Sequence, residues 1–362
     1  MMKLLVLVTN YPSDKNVSAL NYIHTRNLYY KHYGFDVDVL NFAAKSSYFW
    51  DGIRVLTLSD YKSENKNYDI MLSHAPNIRN HFFFCKKYQS RFRSIVFFFH
   101  GHEVLWKSKT YAHPYPFIKK NRLKQFGEDV YDFVKLKIWR KYFPKLSDES
   151  YFVFVSNWML DQFKKWVKLN ESDLKNHCFV TYNGIGENFE NVQFQQRKNK
   201  YDFITIRSFL DGSKYAIDLV CRLASCYPEF SFLIVGKGNY FKYNRKPDNV
   251  IWMDSYCNHK QILDLISEAS CALMLTRTDA QGLMACEIAS TGMPLITSDI
   301  SVCHEVFKEF ENVRFISNEC PENSFLDIYK SIIKENYTIN TKYYSKNTIK
   351  KEIKLFETIL KG

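Results

Sequence analysis

The amino-acid sequence predicts an α/β protein with two doubly wound parallel sheets. Short apolar runs alternate with helical stretches almost throughout the 362 residues, and such runs are typical of strands buried on both faces. A polar stretch at 188–201 separates an earlier series of runs from a later one, so it is the best candidate for an interdomain linker. We expect one domain at 1–187 and a second at 200–344, each long enough to form its own core.

In the first series, seven apolar runs are interpreted as strands. They lie near Leu4–Thr9, Val37–Leu40, Ile53–Leu56, Asp69–Leu72, Ile95–Phe99, Phe152–Val155 and Phe179–Thr181. The longest interruption, 105–145, predicts a loop followed by a long helix from about Phe126 to Tyr142.

The second series predicts six strands that alternate with four helices. The strands lie near Phe203–Ile206, Phe230–Val235, Val250–Trp252, Cys271–Leu275, Pro294–Thr297 and Val313–Phe315. The helices lie near Lys214–Cys226, Lys260–Ala269, Leu283–Ser290 and Glu322–Lys334. The charged stretch Ser345–Leu360 predicts one more, amphipathic helix.

The turn between the run Cys271–Leu275 and the helix Leu283–Ser290 has the character of an anion site. Gly282 precedes the helix, whose N-terminus would present free backbone N–H groups and the positive end of a dipole. Asp279 stands just before the turn, and Glu287 stands more than one helical turn inside. Two fixed acceptors around an anion site fit a sugar nucleotide. An ordinary turn with a capping Asp279 and a surface Glu287 is an alternative that these residues alone leave open.

The acidic stretch around this turn resembles the signature of the family 4 retaining glycosyltransferases, which have the GT-B fold. The resemblance implies two Rossmann-like domains facing each other across a cleft, with a C-terminal helix, here 345–362, that packs back on the first domain. In that family the first acidic residue contacts the transferred sugar and the second holds the nucleotide ribose. Glu287 matches the second position, and Gly282 and Leu283 match the turn, whereas Asp279 stands where the family usually has Glu.

Two cations border the first loop of the second series. Arg207 ends a predicted strand and Lys214 opens the following helix, where two positive charges would neutralise a diphosphate leaving group. The resembling family carries an Arg and a Lys in this loop, commonly five positions apart, whereas the spacing here is seven. Gly236, in the stretch Val235–Gly238, resembles the family's glycine loop at the donor site. Two exposed loop cations are the alternative interpretation.

In the first series, His100 follows an apolar strand and resembles the family's His-Gly or His-Asp motif, which faces the donor sugar. The resemblance implies a catalytic His100, and His102 is the other candidate for this contact. Glu103 is expected either to accept a hydrogen bond from an acceptor hydroxyl or to orient His100. Asn10 and Tyr11 replace the Gly-rich turn common in relatives, in the loop that usually carries acceptor specificity.

No metal site is expected. Asp36 and Asp38 form a triplet of the kind found in metal-dependent GT-A enzymes, but they lie inside a predicted strand, so we interpret them as structural. The nine cysteines never form Cys-x-x-Cys, which indicates reduced core residues of a cytoplasmic protein rather than a zinc or disulfide framework. We therefore expect no required metal and no cofactor, with a UDP- or GDP-linked sugar as substrate.

The net charge of +12 is concentrated in one segment. Residues 105–145 contain eleven Lys or Arg and three acids, interleaved with aromatic residues such as Trp106, Tyr111 and Trp139. This composition suits the anionic face of a membrane, with RNA and an ordinary solvated helix face as alternatives. Since no nucleic-acid module is recognised, we expect no nucleic-acid partner. No apolar stretch approaches the length of a membrane span, so the predicted location is cytoplasmic and peripheral at the inner face of the membrane.

Together, these expectations predict a retaining, metal-independent glycosyltransferase that uses a nucleotide-diphosphate sugar. The acceptor is expected to be a lipid-linked saccharide in bacterial surface polysaccharide or lipopolysaccharide assembly. The enzyme alternatives are a sugar-nucleotide epimerase of GT-B type, which should show a different carboxylate set, and a glycogen or starch type of synthase, which should have a far longer chain. The non-enzyme alternative is an inactive nucleotide-sugar-binding protein, which the Asp at position 279 makes conceivable.

Overall fold

The computed structural model describes residues 2–14, 16, 19–119 and 121–361. The chain forms two compact units. The first unit comprises Met1–Lys107, Phe126–Gly184 and Ser345–Gly362, and the second comprises Ser108–Gln125 and Ile185–Tyr344.

The first unit is built on an eight-stranded sheet. Its strands are β1 (Lys3–Val8), β2 (Asp36–Asn41), β3 (Tyr48–Trp50), β4 (Ile53–Leu56), β5 (Ile70–His74), β6 (Ser94–Phe99), β7 (Ser150–Phe154) and β8 (Cys178–Val180). Their spatial order is β3-β4-β2-β1-β5-β6-β7-β8, and all neighbours are parallel except β3 and β4. The seven predicted strands are confirmed, and β3 is an edge strand that the sequence analysis missed.

The central strands of this sheet are buried on both faces, which explains why they are apolar without alternation. All six residues of β6 are buried, as expected for a central parallel strand. The helices between β1 and β8 in the sequence are α1 (Asn21–His32), α2 (Leu58–Glu64), α3 (Phe83–Tyr88), α4 (Lys107–Thr110), α5 (Arg122–Leu146) and α6 (Asn157–Val167). Shorter turns lie at Ile78–Phe82, Gln89–Arg91 and Ser172–Leu174.

The C-terminal helix (Ser345–Lys361) belongs to the first unit and is fixed to it by a buried ion pair. Arg26 Nε lies 3.1 Å from a carboxylate oxygen of Glu352, and both side chains are fully buried. Thr181 and Tyr30 donate their hydroxyl hydrogens to the same carboxylate. Removal of one partner from such a pair costs about 3–5 kcal/mol, so this contact holds the end of the chain in place.

The second unit is built on a six-stranded sheet in which all neighbours are parallel. Its strands are β9 (Tyr201–Phe209), β10 (Phe232–Lys237), β11 (Val250–Met253), β12 (Ala269–Met274), β13 (Leu295–Ser298) and β14 (Val313–Ile316), in the order β11-β10-β9-β12-β13-β14. Its helices are α7 (Ile217–Cys226), α8 (Tyr240–Tyr243), α9 (His259–Ile266), α10 (Leu283–Ser290), α11 (Ser301–Phe307) and α12 (Glu322–Ile332). The six predicted strands and the helix at α10 are confirmed.

A short excursion from the first half of the chain, residues 108–125, packs into the second unit. Tyr115 is buried in the second core beside Tyr240, and its hydroxyl donates to Asp218 at 2.8 Å. Asp218 in turn accepts two hydrogen bonds from Arg277, at 2.8 and 2.6 Å. Residues 108–125 were expected in the first domain, because a single buried tyrosine leaves no local pattern that reveals where it packs.

The polar stretch predicted as a linker is bound along the second unit. Phe194 N donates to Thr291 O at 2.7 Å, and Arg197 N donates to Ser267 O at 2.8 Å. Tyr201 already begins β9. The backbone hydrogen bonds of this polar segment are therefore made with the domain that it was expected only to connect.

Helix α5 is 25 residues long and has two different faces. Trp139 and Phe143 are fully buried, whereas Phe126 is 69% and Phe133 is 43% exposed. Within the described ranges, no helix has both the length and the apolar character needed to cross a bilayer.

Candidate active site

Arg207 places a buried cation near the end of β9. The residue is 7% exposed, and its Nη2 donates to Leu275 O at 2.6 Å. In the described part of the chain, its Nε has no hydrogen-bond partner. Burial lowers the pKa of the guanidinium from its ordinary value, and the nearby Asp279 carboxylate acts in the opposite direction. A buried cation with a free donor is a group that gains from an anionic ligand.

Arg207, Asp279 and Gly282 line one pocket, together with Thr276 and Gln281. Gly282 has φ of 73°, in the left-handed region, and immediately precedes α10. The first turn of a helix leaves its backbone N–H groups without intrahelical partners, and no side chain caps this one. The pocket therefore combines a cation, a carboxylate and a helix N-terminus.

Asp279 holds the loop that precedes this helix. One of its oxygens accepts from the backbone N–H groups of Ala280 at 2.8 Å and Gln281 at 3.4 Å. The alternative in which Asp279 caps α10 is wrong, because the bonded N–H groups belong to the loop and not to the helix.

Lys214 lies on the same side of the unit but in a different element from the one predicted. It belongs to a 3₁₀ turn at Ser213–Tyr215, and α7 begins only at Ile217. Its Nζ lies 4.6 Å from the centroid of the Tyr215 ring, and Arg207 Cζ lies 5.1 Å from the same ring. The structure thus brings both cations against one aromatic side chain. The excursion contributes too, since the centroid of the Tyr111 ring lies 5.8 Å from Lys214 Nζ.

Gly236 shapes the strand ends beneath Arg207. Its φ is 147°, and a Cβ atom there would lie 2.1 Å from Arg207 O. The register between β9 and β10 shifts between Val235 and Lys237. Only glycine permits this close backbone approach, so Gly236 acts on the position of Arg207.

Glu287 faces a different neighbourhood from the Arg207 pocket. It is 3% exposed and accepts a hydrogen bond from Gly186 N at 3.1 Å, so the alternative of a surface Glu287 is wrong. His259 Nε2 lies 3.8 Å from its carboxylate. Burial raises the pKa of Glu287 to about 7. Ala285 lines the Arg207 pocket, and Glu287, two residues further along α10, points about 200° away around the helix.

His259 is a member of this site that the sequence analysis missed. Asn188 Nδ2 donates to its Nδ1 at 3.3 Å, which leaves the proton on Nε2, toward Glu287. Burial lowers the pKa of His259. A Cβ atom at Gly186 would collide with this imidazole, so the three residues fit closely. No sequence signal links His259 to Glu287, because the two lie 28 positions apart in separate elements.

Residues 187–351 match the family model described as Glycosyl transferases group 1. Over nearly its whole length the chain is similar to solved structures. Sucrose-phosphate synthase from Thermosynechococcus elongatus has a TM-score of 0.70 at 10% identity, with 99% of each chain covered. A glycosyltransferase from Rickettsia africae ESF-5 has a TM-score of 0.65 at 13% identity, with 100% of this chain and 99% of that one covered.

WaaG, a glycosyltransferase involved in lipopolysaccharide biosynthesis, has a TM-score of 0.61 at 11% identity, with 92% of this chain and 91% of that one covered. The chain has the GT-B fold. No curated protein matches it in sequence. The family match over 187–351 supports a glycosyltransferase.

In the first GT-B unit, His100 follows β6 and is hydrogen-bonded to another histidine. Its Nε2 lies 3.1 Å from Nδ1 of His74, and Tyr22 packs against it with ring centroids 4.7 Å apart. Burial and the nearby Arg26 lower the pKa of His100 well below its ordinary value, so the imidazole is neutral. This ring, which lies just beyond the end of β6, is uncharged and well fixed.

Glu103 shapes the turn that follows His100. Its carboxylate accepts from the backbone N–H groups of His100 and Gly101, the second at 2.9 Å. Glu103 therefore positions the backbone of His100. Burial of the Glu103 carboxyl group raises its pKa. His102 is exposed, and its carbonyl oxygen accepts from Lys135 at 2.7 Å.

The side chain of Tyr11, in the loop expected on the acceptor side, is directed into the core. Tyr11 is fully buried, and its hydroxyl bonds to His24 at 2.8 Å and to Asn27 at 3.0 Å. Tyr11 belongs to the same buried cluster as the residues of β1, although its place in a loop suggested an exposed side chain. Asn10 is exposed and accepts from Tyr11 N.

Asp36 and Asp38 have cationic and hydroxyl partners. Lys66 Nζ lies 3.0 Å from Asp36 and 2.9 Å from Asp38, and Tyr68 donates to Asp38 at 2.7 Å. These contacts agree with the structural interpretation of the triplet.

Proposed function

We propose that this chain is a retaining glycosyltransferase that transfers a sugar from a nucleotide-diphosphate donor to a saccharide acceptor, without a required metal or cofactor. The observation that carries the proposal is the pocket in which the buried Arg207, Asp279 and the start of α10 at Gly282 meet. A diphosphate needs fixed positive groups, and a sugar needs fixed acceptors, in one place.

In this proposal, the second unit stabilises the departing diphosphate. Arg207 acts from a buried position, where a charge interacts more strongly than in water, and Lys214 and the N–H groups of α10 add to it. Leu283, the first residue of α10, supplies one of those N–H groups. Since negative charge grows on the leaving group in the transition state, these positive groups accelerate the reaction rather than only bind the donor.

The two carboxylates have separate roles. Asp279 accepts from a hydroxyl of the transferred sugar, and His100 contacts that sugar from the first unit. Glu287 accepts from the ribose hydroxyls, and this hydrogen bonding favours its ionised form over the neutral form that burial favours. Retention follows if the acceptor attacks on the face from which the diphosphate departs.

We propose a lipid-linked acceptor and a peripheral place on an anionic membrane. Helix α5 exposes Phe126, Val130 and Phe133, and Lys137 Nζ lies 4.2 Å from the centroid of the Phe133 ring. Exposed apolar side chains with adjacent cations are typical of an interfacial helix. Lys120, part of the same basic segment, lies outside the described residues. The involvement of WaaG in lipopolysaccharide biosynthesis and the basic surface together favour bacterial surface polysaccharide or lipopolysaccharide assembly.

The test is a transfer assay with a panel of UDP- and GDP-linked sugars, in the presence and absence of EDTA. We expect turnover with one donor class, an unchanged anomeric configuration in the product, and the same rate with EDTA. An inverted product or a requirement for metal contradicts the mechanism. A free epimerised sugar identifies an epimerase, and tight nucleotide binding without turnover identifies the inactive module.

A further inference from the structure

Two histidines of the first unit share one hydrogen bond and leave one ring nitrogen each without a partner. His74 ends β5 and His100 follows β6, and these strands are neighbours in the sheet. Nδ1 of His74 lies 3.1 Å from Nε2 of His100. Nε2 of His74 and Nδ1 of His100 are buried and have no hydrogen-bond partner among the residues that the structure describes.

Only two proton arrangements fit this pair. Burial lowers the pKa of both rings well below the ordinary value, so each imidazole is neutral and carries one N–H and one lone pair. In the first arrangement His74 donates from Nδ1 to His100 Nε2. His74 Nε2 then carries a lone pair, and His100 carries its proton on Nδ1. In the second arrangement His100 donates from Nε2, and the two free nitrogens exchange these roles.

The difference in exposure favours the first arrangement. Each arrangement leaves one N–H without an acceptor among the described residues, on His100 in the first and on His74 in the second. His74 is 1% exposed, so a ligand does not reach it, whereas His100 is only half-buried just beyond the end of β6. Because an N–H that stays buried and unpaired costs free energy, the arrangement in which a ligand can pair it is favoured.

We infer that His74 is a positioning residue that fixes His100 as the tautomer with its proton on Nδ1, so that His100 presents a hydrogen-bond donor to an oxygen of the bound ligand. The identification of that oxygen as a sugar hydroxyl rests on the proposed function. The stacking of His74 on Phe98, with 16° between the rings, holds the donor in place. A fixed N–H directed at a hydroxyl oxygen orients the sugar without placing a charge beside it.

The experiment reads the tautomer directly in the full-length protein. Two-bond ¹H–¹⁵N correlation spectra of protein labelled with ¹⁵N-histidine distinguish a proton on Nδ1 from a proton on Nε2. In the wild type we expect His100 to carry the proton on Nδ1, the form that free imidazole disfavours. His74→Leu removes the donor and moves the proton to Nε2, whereas His74→Asn places an amide N–H near the former Nδ1 and retains it.

His81→Asn is the matched control. His81 is a second fully buried histidine of the first unit, and it bonds to Ser73 at 2.9 Å. Its replacement should leave the His100 signals unchanged.

With a working donor, His74→Leu should lower kcat about tenfold with a smaller effect on KM, and His74→Asn should restore most of it. A wild-type His100 with its proton on Nε2, or an unchanged tautomer in His74→Leu, overturns the inference. If His74→Leu does not fold, the spectra of the wild type and of His74→Asn decide the question. Absence of transfer with every donor, together with an Nδ1 proton on His100, removes the proposed function and leaves the tautomer assignment standing.

Discussion

The two units handle charge in opposite ways. The second unit buries a cation, Arg207, beside a carboxylate and the N-terminus of α10. The corresponding strand end of the first unit buries two neutral imidazoles, His74 and His100; the buried Arg26 near them is paired with Glu352, and further cations are exposed on α5. In the proposed transfer, a charged leaving group and a neutral sugar need these different environments, because a charge is useful only where charge develops.

The largest effect is expected from removal of the buried cation. Arg207→Met should reduce turnover about 10²-fold or more, because the growing charge on the diphosphate loses a fixed partner in a buried site. The measurement is kcat with the preferred donor, with thermal unfolding as a check of folding. Arg222→Met is the matched control, since Arg222 pairs with Glu322 at the surface of the same unit. Equal losses in both variants would contradict the special role of Arg207.

The exposed cations of α5 test the other half of the comparison. Replacement of Lys137, Arg140 and Lys141 by Gln should weaken binding to vesicles with anionic lipid about 100-fold, because each basic residue near the surface contributes about 1 kcal/mol. Co-sedimentation with vesicles gives the affinity. The same charge change at the exposed Lys350, Lys351 and Lys354 of the C-terminal helix should have little effect. Equal affinities for all proteins would remove the membrane role.

Glu287→Gln separates nucleotide binding from chemistry. The amide can accept only one of the two hydroxyl hydrogens that a ribose offers to the carboxylate, so binding of the nucleoside diphosphate should weaken about tenfold. Calorimetric titration measures this. Glu305→Gln, an exchange of the same kind on α11 of the same unit, serves as control. An affinity equal to that of the wild type would exclude a ribose contact at Glu287.

The smallest effect is a dependence of stability on pH. Burial raises the pKa of Glu287 in the folded state to about 7, above its value in the unfolded chain, so the folded protein binds more protons between these values. The free energy of unfolding should therefore fall as pH rises toward 7, and this part of the slope should be absent in Glu287→Gln. Denaturation curves of both proteins at pH 5, 6 and 7 measure it. Parallel pH profiles would show that Glu287 titrates normally.

The sequence predicts most of the fold, because strands buried on both faces are continuous apolar runs that need no partner to be recognised. The helix α10 was predicted with its correct ends for a similar reason, since Gly282 and Gly292 bound it. The strand β3 was missed because three residues at a sheet edge give no period. The excursion 108–125 was missed because its place is decided by Tyr115, which packs against residues more than 100 positions away.

The site was only partly predictable. Arg207, Asp279 and Gly282 were found together because Arg207 lies near the end of β9, whereas Asp279 and Gly282 follow the neighbouring strand β12. The direction of Glu287, away from this pocket, depends on helical phase relative to packing partners that the sequence does not reveal. His74 and His259 were missed because each acts through a partner 26 or 28 positions away. A residue defined by its neighbour becomes visible only when the chain has folded.

The most direct test of the proposed donor site is a calorimetric titration of UDP and GDP into the wild type, Arg207→Met and Arg222→Met. We predict that one nucleotide binds the wild type, that Arg222→Met binds it equally well, and that Arg207→Met binds it at least about tenfold more weakly. Binding of equal strength to Arg207→Met would show that the pocket at Gly282 does not hold the diphosphate.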